Sequence, residues 1–509
     1  MSKSSKQGLR FRRTSGLISL AALLSARSVP AQSAPVSPDR PWHSVAERQI
    51  EEDARRLLDY RPWHSSGDHE IEADPRNFAD SRFGIDPAKG YSLGELIDLA
   101  ETHHPATRVA WERARAQAAA LGIATSELYP TLAAAALSQT SRSEVLFGNS
   151  FFGQVIQDFQ LELSLNYTVF DFGARAGRIN AASAQVLAAN FAFNDTHRKI
   201  IYEVQQAYYR LLSSMGQEEA ARASLSNAQA VQEAAEQRLA NGLATLPDVL
   251  EARSATAQAD YDLQAILGAE EIARGDLATA VGTSATAVIH VQPLDQVPTP
   301  ESVADTVEGA INRALGQRPD LMQQVAAIRS ANATVKEARA AYYPALSLNI
   351  SPALPSLYGL QQPNPWSHTA DLTGGLAFNL EWTTFDGGAR KSRLAQAQAD
   401  VRAAEAQADV TLDEIADEVW AAYSNLNTAF RQRRAAVALL EAASQSYSAA
   451  LESYNYGLRT LLDVTAAQRT LAQARSADVQ ARTAVLSAFA DLAFTTGDSI
   501  QANKGRPRP

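Results

Sequence analysis

The chain has 509 residues, more than one ordinary globular domain requires, and a formal net charge of −10 at pH 7. This acidic balance argues against nucleic acid as a partner, because binding to phosphates requires an excess of lysine and arginine. The absence of cysteine excludes disulfides, thiol catalysis, Cys-ligated zinc and a lipid anchor on an N-terminal cysteine.

Residues 1–33 are predicted to be a secretory signal peptide. They contain basic but no acidic side chains, a short apolar run over 17–24, and small residues around Ala31 and Ser33 that suit cleavage. The apolar run is far shorter than the ~20 residues of a membrane-spanning helix. Export is therefore favoured over a short membrane anchor or a disordered basic tail.

Residues 34–90 form an N-terminal extension of unknown role, rich in Pro, Trp, Arg and Asp. A flexible linker, a wrap around the helices and packing against them all remain open. Residues 283–304 are predicted to be a linker, and residues 498–509 a disordered tail.

An internal duplication organises residues 91–282 and 305–497. Four motifs recur at an offset of 214 or 215 residues, which is difficult to obtain by chance. They are Leu-Tyr-Pro-Thr-Leu at 128–132 and Tyr-Tyr-Pro-Ala-Leu at 342–346, Phe-Asp-Phe-Gly-Ala-Arg at 170–175 and Phe-Asp-Gly-Gly-Ala-Arg at 385–390, Gly-Leu with Asp-Val at 242–249 and 457–464, and Asp-Leu-Ala with Gly at 276–282 and 491–497. The period is too long for a solenoid of small repeats.

Each copy predicts the same elements in the same order. A helix near 105–128 or 319–342 ends at Tyr-Pro, because proline cannot continue it. Two strands follow, a long helix comes next, and a turn separates that helix from a medium helix. The strands lie near 131–143 and 159–170 and near 345–351 and 372–385, the long helices near 176–240 and 390–455, and the turns near 242–248 and 457–463.

The strands carry the membrane signal. Leu161, Leu163 and Leu165 alternate with Glu162 and Ser164, which places one face in an apolar medium and the other in water. Lengths near ten residues match a tilted strand through a bilayer, so outer-membrane lipid is an expected partner. A soluble β-sandwich also alternates, but its enclosed face does not usually carry polar side chains in register.

The long helices are expected to form coiled coils. A helix of 65 residues spans ~97 Å, which no compact domain holds in its interior. Apolar side chains such as Val204, Tyr208 and Leu211 recur at three- and four-residue spacing, as a coiled-coil seam requires.

The order, spacing and duplication of these motifs over residues 91–497 resemble the TolC-type outer-membrane efflux proteins, or outer membrane factors. The resemblance implies a mainly α fold with membrane β: a homotrimeric duct with a long α-helical barrel in the periplasm. Four strands per chain would complete a 12-stranded β-barrel in the outer membrane, and four strands alone cannot close in lipid.

The implied function is the outer-membrane channel of a tripartite efflux or type I secretion system. Such a channel passively conducts substrates from a periplasmic adaptor (membrane fusion) protein and an inner-membrane pump to the exterior. The alternative is a periplasmic coiled-coil adaptor or scaffold without a pore. Such proteins lack two pairs of amphipathic strands.

The resemblance also places both helical turns at the periplasmic tip, where the adaptor would dock. Glycine and aspartate there are also good helix caps, but Leu243 and Leu458 have no capping role and would be exposed apolar groups. The expected adaptor contacts are Gly242, Leu243, Thr245, Val249, Gly457, Leu458, Thr460 and Val464.

A periplasmic gate is expected beside these turns, at Asp248, Tyr454, Arg459 and Asp463. Tyr454 and Arg459 would link to the first-copy turn around Pro247 and Asp248. Three Asp463 side chains would form an acidic ring that attracts cations. The family often has a second acid one helical turn later, where this chain has Ala466, so a second acidic layer is not expected.

No catalytic, cofactor or metal site is expected. The chain contains neither the phosphate-binding pattern G-x-x-x-x-G-K-[ST] nor the nucleophile pattern G-x-S-x-G. The histidines at 64, 69 and 103–104 do not have the spacing of a zinc site.

Overall fold

The structure is a computed structural model that describes residues 39, 85–86, 89–298, 306–361 and 365–498. The predicted signal peptide, nearly all of the N-terminal extension, the end of the predicted linker and almost all of the C-terminal tail lie outside these residues. The described chain divides into a sheet unit, Ala118–Ala184 with Arg329–Arg402, and a helical unit formed by the remaining described residues.

The two copies contain the same series of long elements, which confirms the internal repeat of the predicted fold. The first copy comprises β1 (Gly90–Tyr91), α1 (Leu93–His103), α2 (Pro105–Ser126), β2 (Thr131–Phe147), β3 (Ser150–Phe170), α3 (Ala174–Ala240), α4 (Leu246–Val281) and β4 (His290–Val291). After a 3-10 turn at Leu294–Gln296, the second comprises α5 (Val307–Gln317), α6 (Pro319–Ala340), β5 (Ala345–Gln361), β6 (Ser367–Ala370), β7 (Thr373–Glu381), α7 (Ala389–Asn455) and α8 (Leu461–Thr496). The long helices α3 and α7 have 67 residues each.

Helices α1 and α5 were not predicted from the sequence, in which the first predicted helix of each copy began at the proline of α2 or α6. A capping box starts α1: the Ser92 N–H donates to Glu95 Oε2 at 2.9 Å. Thr306 caps α5 by accepting the Gly309 N–H at 3.2 Å. The Ser-x-x-Glu pattern at 92–95 was the available signal for α1.

The sheet in the sheet unit has the antiparallel order β2-β3-β5-β7, with β6 also paired to β5. Three strands are longer than predicted, and β7 is shorter than the predicted 372–385. Pairing of β2 with β3 continues without interruption to the turn at Gly148. The paired segment therefore includes residues in which polar and apolar side chains alternate only weakly. In β5, Pro352 and Pro355 lie beyond the predicted end at 351, yet both are paired within the ladder.

The apolar face predicted on β3 continues across all four strands. Leu132 lies opposite Leu165, Leu165 opposite Ile350, and Ile350 opposite Leu376. On the other face, the Asn349 side-chain amide donates to Asn166 Oδ1 at 2.6 Å. Around Leu165 one face of the sheet is therefore apolar from β2 to β7, and the other face carries polar side chains.

The helical unit contains separate apolar cores for the two copies. In the first, Leu96, Leu211 and Leu277 are buried together with Ile289, so the described part of the predicted linker packs on that core. In the second, Ile415 and Val485 belong to one buried cluster. None of the described helices is long and apolar enough to cross a membrane.

Candidate functional site at the helical turns

The first turn, residues 241–245, joins α3 to α4 and is closed by the main chain. Gly242 has φ 72°, a conformation that glycine adopts without strain. Its N–H donates to the Leu239 carbonyl at 2.9 Å, and the Leu243 N–H donates to the Arg238 carbonyl at 2.8 Å. This pair of bonds is a Schellman motif, which satisfies carbonyls at the end of α3.

The second turn, residues 456–460, joins α7 to α8 with the same geometry. Gly457 has φ 74°, and its N–H donates to the Tyr454 carbonyl at 2.9 Å. The Leu458 N–H donates to the Ser453 carbonyl at 2.8 Å. Gly242 and Gly457 therefore have the same structural role, and both turns project a leucine directly after the glycine.

The two aspartates of the predicted gate cap the helices that leave the turns. Asp248 Oδ2 accepts the Thr245 N–H at 2.8 Å and the Thr245 hydroxyl at 2.7 Å. Asp463 Oδ2 accepts the same groups of Thr460 at 3.1 and 2.9 Å. The main-chain hydrogen bond from the threonine, followed by the hydroxyl bond, lowers the pKa of each aspartate. Both carboxylates are thus kept ionised.

Each turn exposes apolar side chains. Leu243 is 69% exposed and Leu458 is 79% exposed. Four further exposed side chains, which were not among the predicted contacts, extend these patches. They are Leu246 and Leu250 beside the first turn and Tyr456 and Leu462 beside the second.

Val249 and Val464 are buried, at 2% and 0% exposure, in contrast to the leucines. They belong to a cluster that contains residues of both copies, so the bases of the two turns pack together. The other buried members are Val231, Ala235, Ala252, Ala450, Tyr454 and Leu461. In this conformation neither valine offers a surface to a partner, and their role is to support the exposed residues of the turns.

The remaining gate residues, Tyr454 and Arg459, contact other groups than predicted. Tyr454 is buried, and within the described residues its hydroxyl makes no hydrogen bond to Asp248. Burial raises the pKa of the Tyr454 phenol. Arg459 is exposed, and its Nη1 lies 4.0 Å from Asp463 Oδ1 in the same copy. A single chain therefore does not form the predicted link to Pro247 and Asp248.

The partner of Tyr454 is Arg238, in the last turn of α3. Arg238 Nη1 donates to the Tyr454 carbonyl oxygen at 2.7 Å, and the guanidinium carbon lies 4.5 Å from the centre of the phenol ring. Arg238 was not among the site residues predicted from the sequence. A basic residue near a helix C-terminus is ordinary dipole chemistry and does not indicate a partner 216 residues away.

Among the residues that the structure describes, no three histidine or acidic side chains lie close enough together to hold a metal ion.

Comparison with known proteins shows the same duplication. The family model described as outer membrane efflux protein matches the chain twice, over residues 96–283 and 310–498. Protein CyaE of Bordetella pertussis is 28% identical over 415 residues, which cover 80% of this chain and 85% of that protein. The pyoverdine export outer membrane protein OpmQ of Pseudomonas aeruginosa is 27% identical over 424 residues, 81% of this chain and 86% of its own length.

Among solved structures, a membrane protein from Pseudomonas aeruginosa has the same fold. It superposes with a TM-score of 0.71 at 25% identity, over 80% of this chain and 93% of its own.

Proposed function

Because this chain belongs to the outer membrane efflux protein family, we propose that three copies of it assemble into one duct that receives substrates from a periplasmic adaptor and an inner-membrane pump. The chain is an outer-membrane channel component of an efflux or secretion system. Its family consists of channels rather than enzymes. The observation that carries the proposal is the double family match, which coincides with two copies that each supply membrane-type strands and a long helical hairpin.

The open sheet supports assembly into a trimer. Within the described residues, the outer edges of β2 and β7 pair with no further strand. Unpaired main-chain N–H and carbonyl groups are not tolerated in lipid, so the edges require partners. Each sheet has four main strands, β2, β3, β5 and β7. Three such sheets would close into a ring of twelve strands in which every edge is paired.

The exposed surface of α7 also supports contact between subunits of the trimer. Within the helical unit, α7 exposes apolar side chains along its length, and a monomeric protein seldom leaves so many uncovered. A neighbouring subunit in the trimer would cover them. They include Val410, Trp420, Val437 and Leu439.

The two turns are the proposed adaptor-docking surface. The exposed leucines supply apolar contact, while the glycines and threonines hold the main chain in place for it. We assign direct contact to Gly242, Leu243, Thr245, Gly457, Leu458 and Thr460, and a supporting role to the buried Val249 and Val464. The gate is assigned to Asp248, Tyr454, Arg459 and Asp463. Arg459 would reach the neighbouring subunit of the trimer.

Assembly and conduction test the first part of the proposal. The purified mature chain in detergent should have the mass of a trimer by light scattering, run as a heat-modifiable trimer on a gel, and form pores in planar bilayers. A water-soluble monomer without pore activity would contradict it.

Site-specific cross-linking tests the docking surface. The natural chain has no cysteine, so a single Leu458→Cys variant can carry one photoactivatable cross-linker. It should capture the native adaptor in cells that express the whole system. Tyr261→Cys, equally exposed on α4 but 16 residues beyond the first turn, is the matched control. Equal capture by the two variants would contradict docking at the turns.

A further inference from the structure

The contact between Arg238 and Tyr454 joins the two copies immediately behind their turns. Arg238 is in the last turn of α3, and Tyr454 is in the last turn of α7. The arginine contacts the tyrosine at two points, by a 2.7 Å hydrogen bond to the main-chain oxygen and by a cation–π contact with the ring. Any movement that separates the turns must break both interactions.

The internal duplication does not repeat this contact at the equivalent positions. At the offset of 215 residues, the position of Arg238 is occupied by Ser453 in the second copy, and the position of Tyr454 by Leu239 in the first. The reciprocal pair therefore cannot form. Each chain has one contact between Arg238 and Tyr454, and a threefold assembly would have three.

The surroundings of Arg238 suit a contact that can be released. Its Nε is buried and has no hydrogen-bond partner within the described residues. An unpaired buried donor is unfavourable, and it would regain water if the turns moved apart. The arrangement in which the two turns lie together is therefore stabilised by two interactions and opposed by one unsatisfied group.

The Tyr454 hydroxyl does not provide an equivalent link. The nearest acid of the first turn, Asp248, already accepts two hydrogen bonds from Thr245 through one oxygen. The phenol oxygen has no partner of its own among the described residues, while its ring and main-chain oxygen are both engaged by Arg238.

We propose that Arg238 is a positioning residue of the closed duct, which locks the two turns of each chain together through the ring and main-chain oxygen of Tyr454, and that the Tyr454 hydroxyl is dispensable. The proposal rests on the proposed channel function and adds to it a specific closing contact. Opening of the duct then requires the guanidinium of Arg238 to separate from the Tyr454 ring before the second turn can move.

Single-channel conductance in planar bilayers tests this lock, with uptake by cells of an antibiotic too large for general porins as a second readout. Arg238→Met keeps an unbranched apolar stem but removes the charge and the hydrogen bond. Loss of a charge-assisted hydrogen bond and a cation–π contact should shift the closed-to-open equilibrium about tenfold per chain. Conductance and uptake should both rise.

The tyrosine variants separate the ring from the hydroxyl. Tyr454→Phe should change conductance by less than about twofold, because ring and carbonyl remain. Tyr454→Leu should open the duct as Arg238→Met does, and the double variant should add little, since both remove one interaction. An opening effect of Tyr454→Phe equal to that of Arg238→Met would overturn the proposal, and so would additive effects of Arg238→Met and Tyr454→Leu.

Two controls keep the outcome interpretable. Arg253→Met removes an exposed arginine near the first turn, paired to Glu236 at 2.9 Å, and should leave conductance unchanged. If Arg238→Met does not assemble, Arg238→Lys keeps the charge without the planar fork and should show a smaller increase. A wild-type protein without pores would refute the channel function, whereas normal wild-type pores with unchanged Arg238 variants would refute only the lock.

Discussion

The guanidinium carbon of Arg198 lies 4.3 Å from the centre of the Phe494 ring, and its Nη1 donates a 3.1 Å hydrogen bond to the carbonyl oxygen of the same residue. Arg238 makes the same two contacts with Tyr454. Both arginines are on α3, and each aromatic residue is in the last turn of a second-copy helix. Because final helix carbonyls lack intrahelical partners and favour cations, α3 of the first copy caps both α7 and α8 of the second copy.

Replacement of Arg198 tests the energetic weight of this cap. The side chain is only 2% exposed and also binds Asp195 at 2.6 Å and Asp320 at 3.4 Å. Arg198→Met leaves those carboxylates without their buried partner, so the free energy of unfolding should fall by about 3 kcal/mol. Chemical denaturation in detergent measures it. Arg210→Met, which breaks the exposed pair with Asp276, should cost about 0–1 kcal/mol. Equal losses in the two variants would show that the buried cap is not special.

Gly177 marks a close approach of α3 to α6 in the sheet unit. A Cβ atom on Gly177 would lie 2.8 Å from the main-chain nitrogen of Glu337, a distance that forces the main chain to shift. Gly177→Ala should therefore lower stability by about 1–3 kcal/mol. Gly122→Ala on α2 meets nothing within 4 Å and should raise stability by about 0.5–1 kcal/mol. Thermal unfolding compares them, and effects of the same sign would contradict the close approach.

Acid should weaken the junction between β3 and α3. Asp171 Oδ2 accepts the Arg175 N–H at 2.8 Å and the Arg175 Nε at 3.0 Å. Burial raises the pKa of Asp171, but the hydrogen bonds from Arg175 and Gly173 outweigh it, so the pKa is lowered. The carboxylate therefore stabilises the fold above its unfolded pKa of about 3.9, and this contribution is lost as pH falls through the lower folded value.

Unfolding measured between pH 6 and pH 3 tests the role of Asp171. Asp171→Asn should be less stable than the wild type at pH 6 and should lose less stability on acidification. Asp98→Asn, at an exposed position on α1, should retain the wild-type pH profile. A wild-type profile in Asp171→Asn as well would show that the junction does not depend on this ionised group.

The acidic ring proposed at Asp463 can be separated from the capping role of the same side chain. Asp463→Asn keeps an acceptor for Thr460 but removes the charge, whereas Asp463→Ala removes both. Both variants should raise single-channel conductance and weaken block by polyvalent cations about tenfold, because the charge is lost in each. Only Asp463→Ala should also loosen the start of α8. Unchanged block in both would remove Asp463 from the gate.

The sequence by itself determined the features that depend on local chemistry. Tyr-Pro ends α2 and α6 because proline cannot continue a helix, and Gly242 and Gly457 mark turns because glycine adopts positive φ. Alternation along β3 identified its apolar face for the same reason: it depends only on the pleat of a strand. The constant offset between motifs showed the duplication before any contact was known.

Only the tertiary structure decided which distant side chains meet. The spacing of apolar residues in the sequence did not show that Val249 and Val464 would be buried, because burial depends on the helices that pack against them. Nor did it show that β5 would continue through Pro352, because that depends on the neighbouring strand. The partner of Arg238 could not be read from the sequence either. A cation at a helix end can interact with solvent, with the helix dipole or with a side chain of a neighbouring helix. Packing of the two copies settled that choice by bringing together an arginine and a tyrosine 216 residues apart.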